Sequence, residues 1–231
     1  MAIVKLLIFA VIIRPFLWLV AGWSFGRFVG LPMTGPAIIV ANHNSHLDTL
    51  ALTAMFPLRL TPRVRAVAAS EYFLQSGGLM WFAANVLGII GLDRRDRRRG
   101  WRFLDACSEA LTKGDILIVF PEGTRGKPEH LGHLSRGIAH LAKRFPNVPV
   151  VPVVLHGLGR VLPRGAWIPL PYCCDARVRA PLVWTGQLSS FMSAVEAALS
   201  AGLPRPNDDE ADKQLGLEFP RFCGQLWAYR F

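Results

Sequence analysis

The sequence predicts an α/β fold: a largely parallel sheet flanked by helices, with an apolar N-terminal membrane-associating helical element ahead of it. Three observations carry this. Short apolar runs such as Ala37-Ile38-Ile39-Val40-Ala41 and Asp115 to Phe120 alternate with longer stretches that read as helices, the order of βαβ units. These runs are near-continuously apolar, as in strands covered on both faces. Ala2 to Val29 is almost wholly apolar and aromatic, broken by Lys5, Arg14 and Arg27.

A length of 231 residues holds one α/β domain with a full core, or one domain and a small appendage. We divide it into an N-terminal membrane-associating segment (1–30), the α/β domain (31–203) and a C-terminal extension (204–231). The hydrophobic fraction of 52%, with a mean hydropathy of +0.31, exceeds the roughly 45–50% of soluble domains and points to membrane contact. The net charge is +10, from 26 Lys+Arg against 16 Asp+Glu, and suits a polyanionic partner such as an anionic bilayer or nucleic acid. No basic patch interleaved with stacking aromatics and no nucleic-acid module accompanies it, which sets nucleic acid aside. Cysteines 107, 173, 174 and 223 show no C-x-x-C spacing and read as buried free thiols in a reducing compartment.

In the N-terminal segment, Leu6 to Ile13 and Phe16 to Val20 are each shorter than the roughly 20 apolar residues of a spanning helix. Arg14-Pro15 falls near the middle, where an arginine costs about 2.5–3.5 kcal/mol and proline kinks the chain. The expectation is an element lying in one leaflet, with Trp18 and Trp23 at headgroup level. Ala37 to Ala41 is then a strand and Leu50 to Phe56 a helix. Val64 to Ala69 is a strand, Glu71 to Leu87 a helix and Gly88 to Asp93 a short strand. The basic run Arg94 to Arg99 leads into a helix, Trp101 to Thr112, which Lys113-Gly114 closes. Asp115 to Phe120 is a strand that Pro121 ends. Ser135 to Phe145 reads as a helix, Val148 to Leu155 as a strand, Ala176 to Trp184 as a strand and Leu188 to Ala201 as an amphipathic helix.

Chemistry-bearing side chains concentrate at strand exits, where open α/β sheets bind ligands. Asn42-His43-Asn44-Ser45-His46-Leu47-Asp48 follows the first strand. His43 and Asp48 stand about 140° apart on an ideal helix, so they meet only if His43 lies in the preceding loop and Asp48 in the first turn. A carboxylate on one imidazole nitrogen leaves the other as a general base. Ser45-x-x-Asp48 equally fits a capping box, in which Asp48 only satisfies helix-start amides. Both readings stand, and they are compatible. His43 and His46 also form an H-x-x-H pair that with Asp48 offers a metal set, though without a third ligand at a recognisable spacing. His130 and His133 repeat that spacing in a loop and read as solvated. Phe120-Pro121-Glu122-Gly123-Thr124-Arg125 ends another strand. There proline stops the ladder, glycine admits a ligand to the backbone, and arginine offers a fork to phosphate or carboxylate. Asp93-Arg94 ends a third.

These blocks carry a family resemblance. Asn42-His43-x-Ser45-x-x-Asp48, Gly88-x-x-x-x-Asp93-Arg94, Phe120 to Arg125 and Val151-Pro152-Val153-Val154 resemble, in order and spacing, the glycerolipid acyltransferases of the lysophosphatidate (1-acylglycerol-3-phosphate) acyltransferase type. The resemblance implies transfer of a fatty acyl group from an acyl-CoA or acyl carrier protein thioester to a lysophospholipid hydroxyl, most simply that of 1-acylglycerol 3-phosphate to give phosphatidate. In it His43 is the base and Asp48 its orienting partner. Arg94, Glu122 and Arg125 hold the glycerophosphate, and Gly123 and Thr124 shape the pocket. No bound cofactor and no metal are implied, the carrier entering as co-substrate. The expected partners are the lysophospholipid, the acyl carrier and an anionic membrane surface at the cytoplasmic face of the inner (plasma) membrane, in a monotopic or single-span arrangement. The sequence departs from the family pattern at Gly91, at Ser135-Arg136-Gly137 and at Arg179-Ala180-Pro181, which bears on the acceptor more than on the reaction. Another lysolipid or glycerol 3-phosphate as acceptor, hydrolysis of a lipid or thioester, and a catalytically silent lipid- or RNA-binding protein are the alternatives.

Overall fold

The computed structural model describes residues 2–23, 28–69, 87–92, 97–126, 130–162 and 168–203. Residues 71–86 of the expected helix, Asp93-Arg94 and the extension 204–231 lie outside them. Within them, the strands are β1 (Ala37–Ala41), β2 (Val64–Ala69), β3 (Ile90–Leu92), β4 (Ile116–Val119), β5 (Val150–His156) and β6 (Asp175–Val178). They form one six-stranded sheet in the order β3-β2-β4-β1-β5-β6. Every neighbouring pair is parallel except β5 with β6. The largely parallel sheet expected from the sequence is therefore present.

Period-2 alternation divides the core between the two faces of this sheet. On β1, Ala37, Ile39 and Ala41 face one apolar cluster with Leu52 and Met55 of helix α2 (Asp48–Met55), while Ile38 and Val40 face the other. That second cluster takes Leu111 of α3 (Arg97–Thr112), Ile138 and Leu141 of α4 (Gly137–Arg144), and Phe191 and Val195 of the later helix Leu188–Ser200. Burial on both faces is why these strands are continuously apolar. β6 is shorter than the Ala176 to Trp184 expected: Pro181 has no N–H for the ladder, and beyond Val178 the pairing thins to an Arg179 N–H bond on the Pro152 carbonyl and the isolated Val150–Leu182 bridge.

The N-terminal helix differs from expectation. In place of two short apolar runs kinked at Arg14-Pro15, one helix, α1, runs Ala2–Ala21. Pro15 has no N–H for the carbonyl four residues back. The chain absorbs this with a π turn at Phe9–Ile13, where Arg14 N–H bonds the Phe9 carbonyl. With 20 residues and a mean hydropathy of 2.3, α1 is long and apolar enough by length and composition to cross a membrane. Its two cations nevertheless turn inward. Lys5 Nζ donates to the Val64 and Leu87 carbonyls at 2.6 and 2.9 Å. Arg14 Nη2 donates to the Ala54 and Phe56 carbonyls at 3.1 and 2.7 Å, meeting the orphan carbonyl end of α2. Phe9, Leu17 and Ala21 join the core, while Ile3, Leu7, Val11, Trp18 and Leu19 remain exposed. Charges face the protein and hydrocarbon faces out, the reverse of a soluble helix.

The cysteines also depart from the expectation. Cys107 and Cys174 are buried and free, but Cys173 is disulfide-bonded. Successive side chains of an extended chain point to opposite sides, so Cys174 enters the core and Cys173 does not.

Candidate active site

β1 is central in the sheet, between β4 and β5, and its carboxyl end opens the site. Backbone pairing with β5 runs to Ala41–Val153. The buried side chain of Asn42 takes over from there, its Nδ2 donating to the Leu155 carbonyl at 2.8 Å and its Oδ1 accepting the Leu155 N–H at 2.7 Å. An amide that copies a peptide group lets the main chain leave the sheet without orphaning Leu155. His43 is thereby delivered to the sheet edge.

The next five residues wrap around a single oxygen. Asp48 Oδ2 accepts from His43 Nδ1 at 2.9 Å, from Asn44 N–H at 2.7 Å and from Ser45 N–H at 2.8 Å. Ser45 Oγ accepts the Leu47 N–H at 3.2 Å and donates to the Leu162 carbonyl. His43 therefore lies in the loop and Asp48 opens α2, the arrangement in which the two can meet. The residue before α2, Leu47, makes no side-chain cap bond, and the amides that Asp48 gathers belong to the loop ahead of the helix, so the capping box is not formed. A carboxylate only accepts, so Nδ1 carries the proton and Nε2 the lone pair. Asp48 is fully buried, while the His43 side chain keeps 19% of its surface. Phe120 stacks on the imidazole with centroids 4.1 Å apart and 20° between planes, and also lines a cavity of about 310 Å³ whose walls include Val67, Val119, Ile138 and Leu141 together with the polar Glu122 and Ser135.

The register Val40–Val119 sets the end of β4 beside this loop. Pro121 and Glu122 form a turn closed by Gly123 N–H on the Phe120 carbonyl at 3.0 Å, with Gly123 at φ +71°. Glu122 does not point outward. Its Oε1 accepts the His43 N–H at 2.8 Å and its Oε2 the Gly132 N–H at 2.9 Å. A Cβ at Gly132 would sit 2.8 Å from that oxygen, so glycine is what admits the carboxylate. Burial raises the Glu122 pKa above its ordinary value, and the two amides oppose the shift. Gly126 N–H meets the His43 carbonyl at 2.9 Å, a second rung between the loops.

Arg125 and His46 form a third, Arg125 Nη1 donating to His46 Nε2. The lone pair the metal reading needed is thus taken by a guanidinium, and no cluster of three or more potential ligands occurs among the described residues. His130 and His133 are exposed loop residues. Thr124 is exposed and Gly123 half-buried on the same loop, while Arg94 lies outside the described residues. The structure brings together His43, Asp48, Glu122, Gly123, Thr124 and Arg125 from blocks some 80 residues apart. Sequence reasoning missed the bracing roles of Asn42, Phe120, Gly126 and Gly132. Asn42 and Phe120 stood inside recognised blocks, whereas the two glycines had no signal beyond their identity.

Known proteins resemble the chain over the stretch that holds this site. The chain is 33% identical over 131 residues to a chloroplastic 1-acyl-sn-glycerol-3-phosphate acyltransferase of Brassica napus, covering 57% of this chain and 36% of that protein. It is 32% identical over 125 residues to the human 1-acyl-sn-glycerol-3-phosphate acyltransferase alpha, covering 54% and 42%. The aligned stretch thus spans about two fifths of these relatives. Among solved structures, the 1-acyl-sn-glycerophosphate (LPA) acyltransferase PlsC from Thermotoga maritima matches with a TM-score of 0.61 and 26% identity, over 75% of this chain and 67% of that one. Residues 29–156, more than half of the chain and the whole of the site described above, match the Acyltransferase family, and the chain belongs to that family.

Proposed function

We propose that this protein transfers a fatty acyl group from a thioester, acyl-CoA or acyl carrier protein, to the hydroxyl of 1-acylglycerol 3-phosphate, giving phosphatidate. The observation that carries the reading is the His43–Asp48 pair, 2.9 Å apart, tied by backbone rungs to the loop that bears Arg125. Asp48 holds the imidazole proton on Nδ1, so Nε2 takes the acceptor's hydroxyl proton as that oxygen attacks the thioester carbonyl. The C–O ester bond forms, the C–S bond breaks, and the departing thiolate recovers the proton from His43. Direct displacement requires no covalent intermediate on the protein. Arg125, with Arg94, offers a cationic fork to the acceptor phosphate, and Gly123 and Thr124 shape the approach. Glu122 serves by holding the base loop to the arginine loop. The aliphatic walls of the cavity beside Phe120, from Val67, Val119, Ile138 and Leu141, support a hydrocarbon-bearing substrate, with Glu122 and Ser135 as its polar part.

We place the reaction at the cytoplasmic face of a membrane, with α1 lying in one leaflet. The exposed stripe from Ile3 to Leu19 favours this over a span, because Lys5 and Arg14 bind α1 along its length to the same body as the sheet. Extracting an acyl chain loses about 0.8 kcal/mol per CH₂ unless an apolar surface replaces the bilayer, and α1 supplies one beside the site.

The test is a panel of labelled acyl-CoA and acyl carrier protein donors against lysophosphatidate, glycerol 3-phosphate and lysolipids of other headgroups, with His43→Ala as control. Diacyl product from lysophosphatidate, lost in His43→Ala, is expected. Acceptor-independent free fatty acid indicates a hydrolase instead, and no His43-dependent product with any acceptor defeats the reading.

A further inference from the structure

The loop bearing the base and the loop bearing the phosphate-binding arginine are joined by three rungs. Two are anchored on backbone groups: His43 N–H on Glu122 Oε1 at 2.8 Å, and Gly126 N–H on the His43 carbonyl at 2.9 Å. Between them they set where the Arg125 Cα lies, not where its guanidinium points. An arginine side chain carries about 2 kcal/mol of rotamer entropy, so its direction needs a separate cause. The third rung supplies one, Arg125 Nη1 against His46 Nε2.

We propose that His46 is a positioning residue that aims Arg125 at the acceptor's phosphate. This rests on the acceptor reading above. Guanidinium only donates, so His46 must accept through Nε2 and is neutral with its proton on Nδ1. Its surroundings favour that form: partial burial, then the Arg125 cation, then His43 lower its pKa below 6.5, and Asp48 opposes them. The bond commits one of the five N–H donors of Arg125, in a rigid planar group whose orientation then follows. The chain also fixes His46 in place, since it sits between Ser45, held on Leu162, and Leu47, held on the Ser45 hydroxyl.

Four variants and two acceptors test this, lysophosphatidate and the phosphate-free monoacylglycerol. His46→Ala should raise KM for lysophosphatidate about ten-fold, the upper range for one net hydrogen bond, while kcat moves less than about two-fold. Its kcat/KM for monoacylglycerol should move less than about two-fold. His46→Gln, whose Oε1 reaches a similar point, should restore KM. Arg125→Ala with and without His46→Ala should give the same KM, as two residues acting through one contact do. Equal KM in wild type and His46→Ala, an equal loss on both acceptors, or additive variants overturns the proposal. Selectively ¹⁵N-labelled histidine read by NMR tests the contact apart from turnover: Nδ1–H at His46 is expected, and Nε2–H overturns it. Wild type that acylates no phosphate-bearing acceptor while His46 shows the Nδ1–H tautomer defeats the acceptor reading, and with it the assigned purpose of the contact.

Discussion

His43 Nδ1 stands 2.9 Å from Asp48 Oδ2, and that one oxygen also holds the amides of Asn44 and Ser45. The contact that orients the imidazole therefore also pins the loop between β1 and α2. The two partners should respond differently to substitution.

His43→Ala should reduce acyl transfer by about 10²–10⁴-fold and destabilise less than loss of the carboxylate does, because it removes one of the three donors on Asp48 Oδ2 and leaves the two amides in place. Asp48→Asn should reduce activity comparably and also destabilise by about 1–3 kcal/mol, since a neutral amide oxygen holds the three donors that converge on Oδ2 more weakly than a charged carboxylate oxygen does. Steady-state kinetics alongside denaturant unfolding separates the two. Equal destabilisation in both variants would contradict the shared-oxygen account.

Glu122→Gln should lower transfer about 10²-fold by loosening the loop that carries the base, although the residue need not touch substrate. A glutamine turns an NH₂ donor towards one of the N–H groups of His43 and Gly132 that Glu122 now accepts. The pH dependence has a definite sign. The folded pKa of Glu122 is raised, chiefly by burial, so its contribution to stability is present below the ordinary value of 4.5 and is lost as pH rises through the folded value. Urea unfolding at pH 4 and pH 7 should therefore show wild type losing ground to Glu122→Gln at the higher pH. An unchanged difference would remove the assignment.

Asn42→Ala should destabilise by about 2–5 kcal/mol, because it leaves the Leu155 N–H and carbonyl buried without partners. Asn42→Asp keeps the acceptor but sets an oxygen against the Leu155 carbonyl, and should do no better. Calorimetry would read this as a drop of about 2–4 °C per kcal/mol for a chain of this size.

Leu7→Asp, Val11→Asp or Leu19→Asp, each on the exposed face of α1, should release the protein from anionic vesicles in co-sedimentation without lowering its melting temperature. Arg14→Ala should do the opposite, destabilising through the Ala54 and Phe56 carbonyls it leaves. Deleting residues 1–30 should weaken turnover of long-chain acceptors more than short ones. Vesicle binding that survives all three aspartates would shift the membrane contact elsewhere.

The linear chain by itself determined the layers of the fold and the roster of the site. Continuous apolar strands have one stable environment, between two covered faces, and polar blocks at their exits then fall on one edge of a parallel sheet. It left three things open, each for a physical reason. Whether Asp48 caps a helix or orients a base depends on where the main chain leaves β1, which Asn42 decides through Leu155, 113 residues away. Whether Glu122 faces substrate or backbone depends on the close approach of Gly132, which has no side chain to announce it. Whether Arg14-Pro15 breaks the N-terminal helix depends on the α2 carbonyls waiting for that arginine, and on a π turn that propensity does not encode. Only the tertiary structure, by bringing distant backbone groups within hydrogen-bond reach, made these choices.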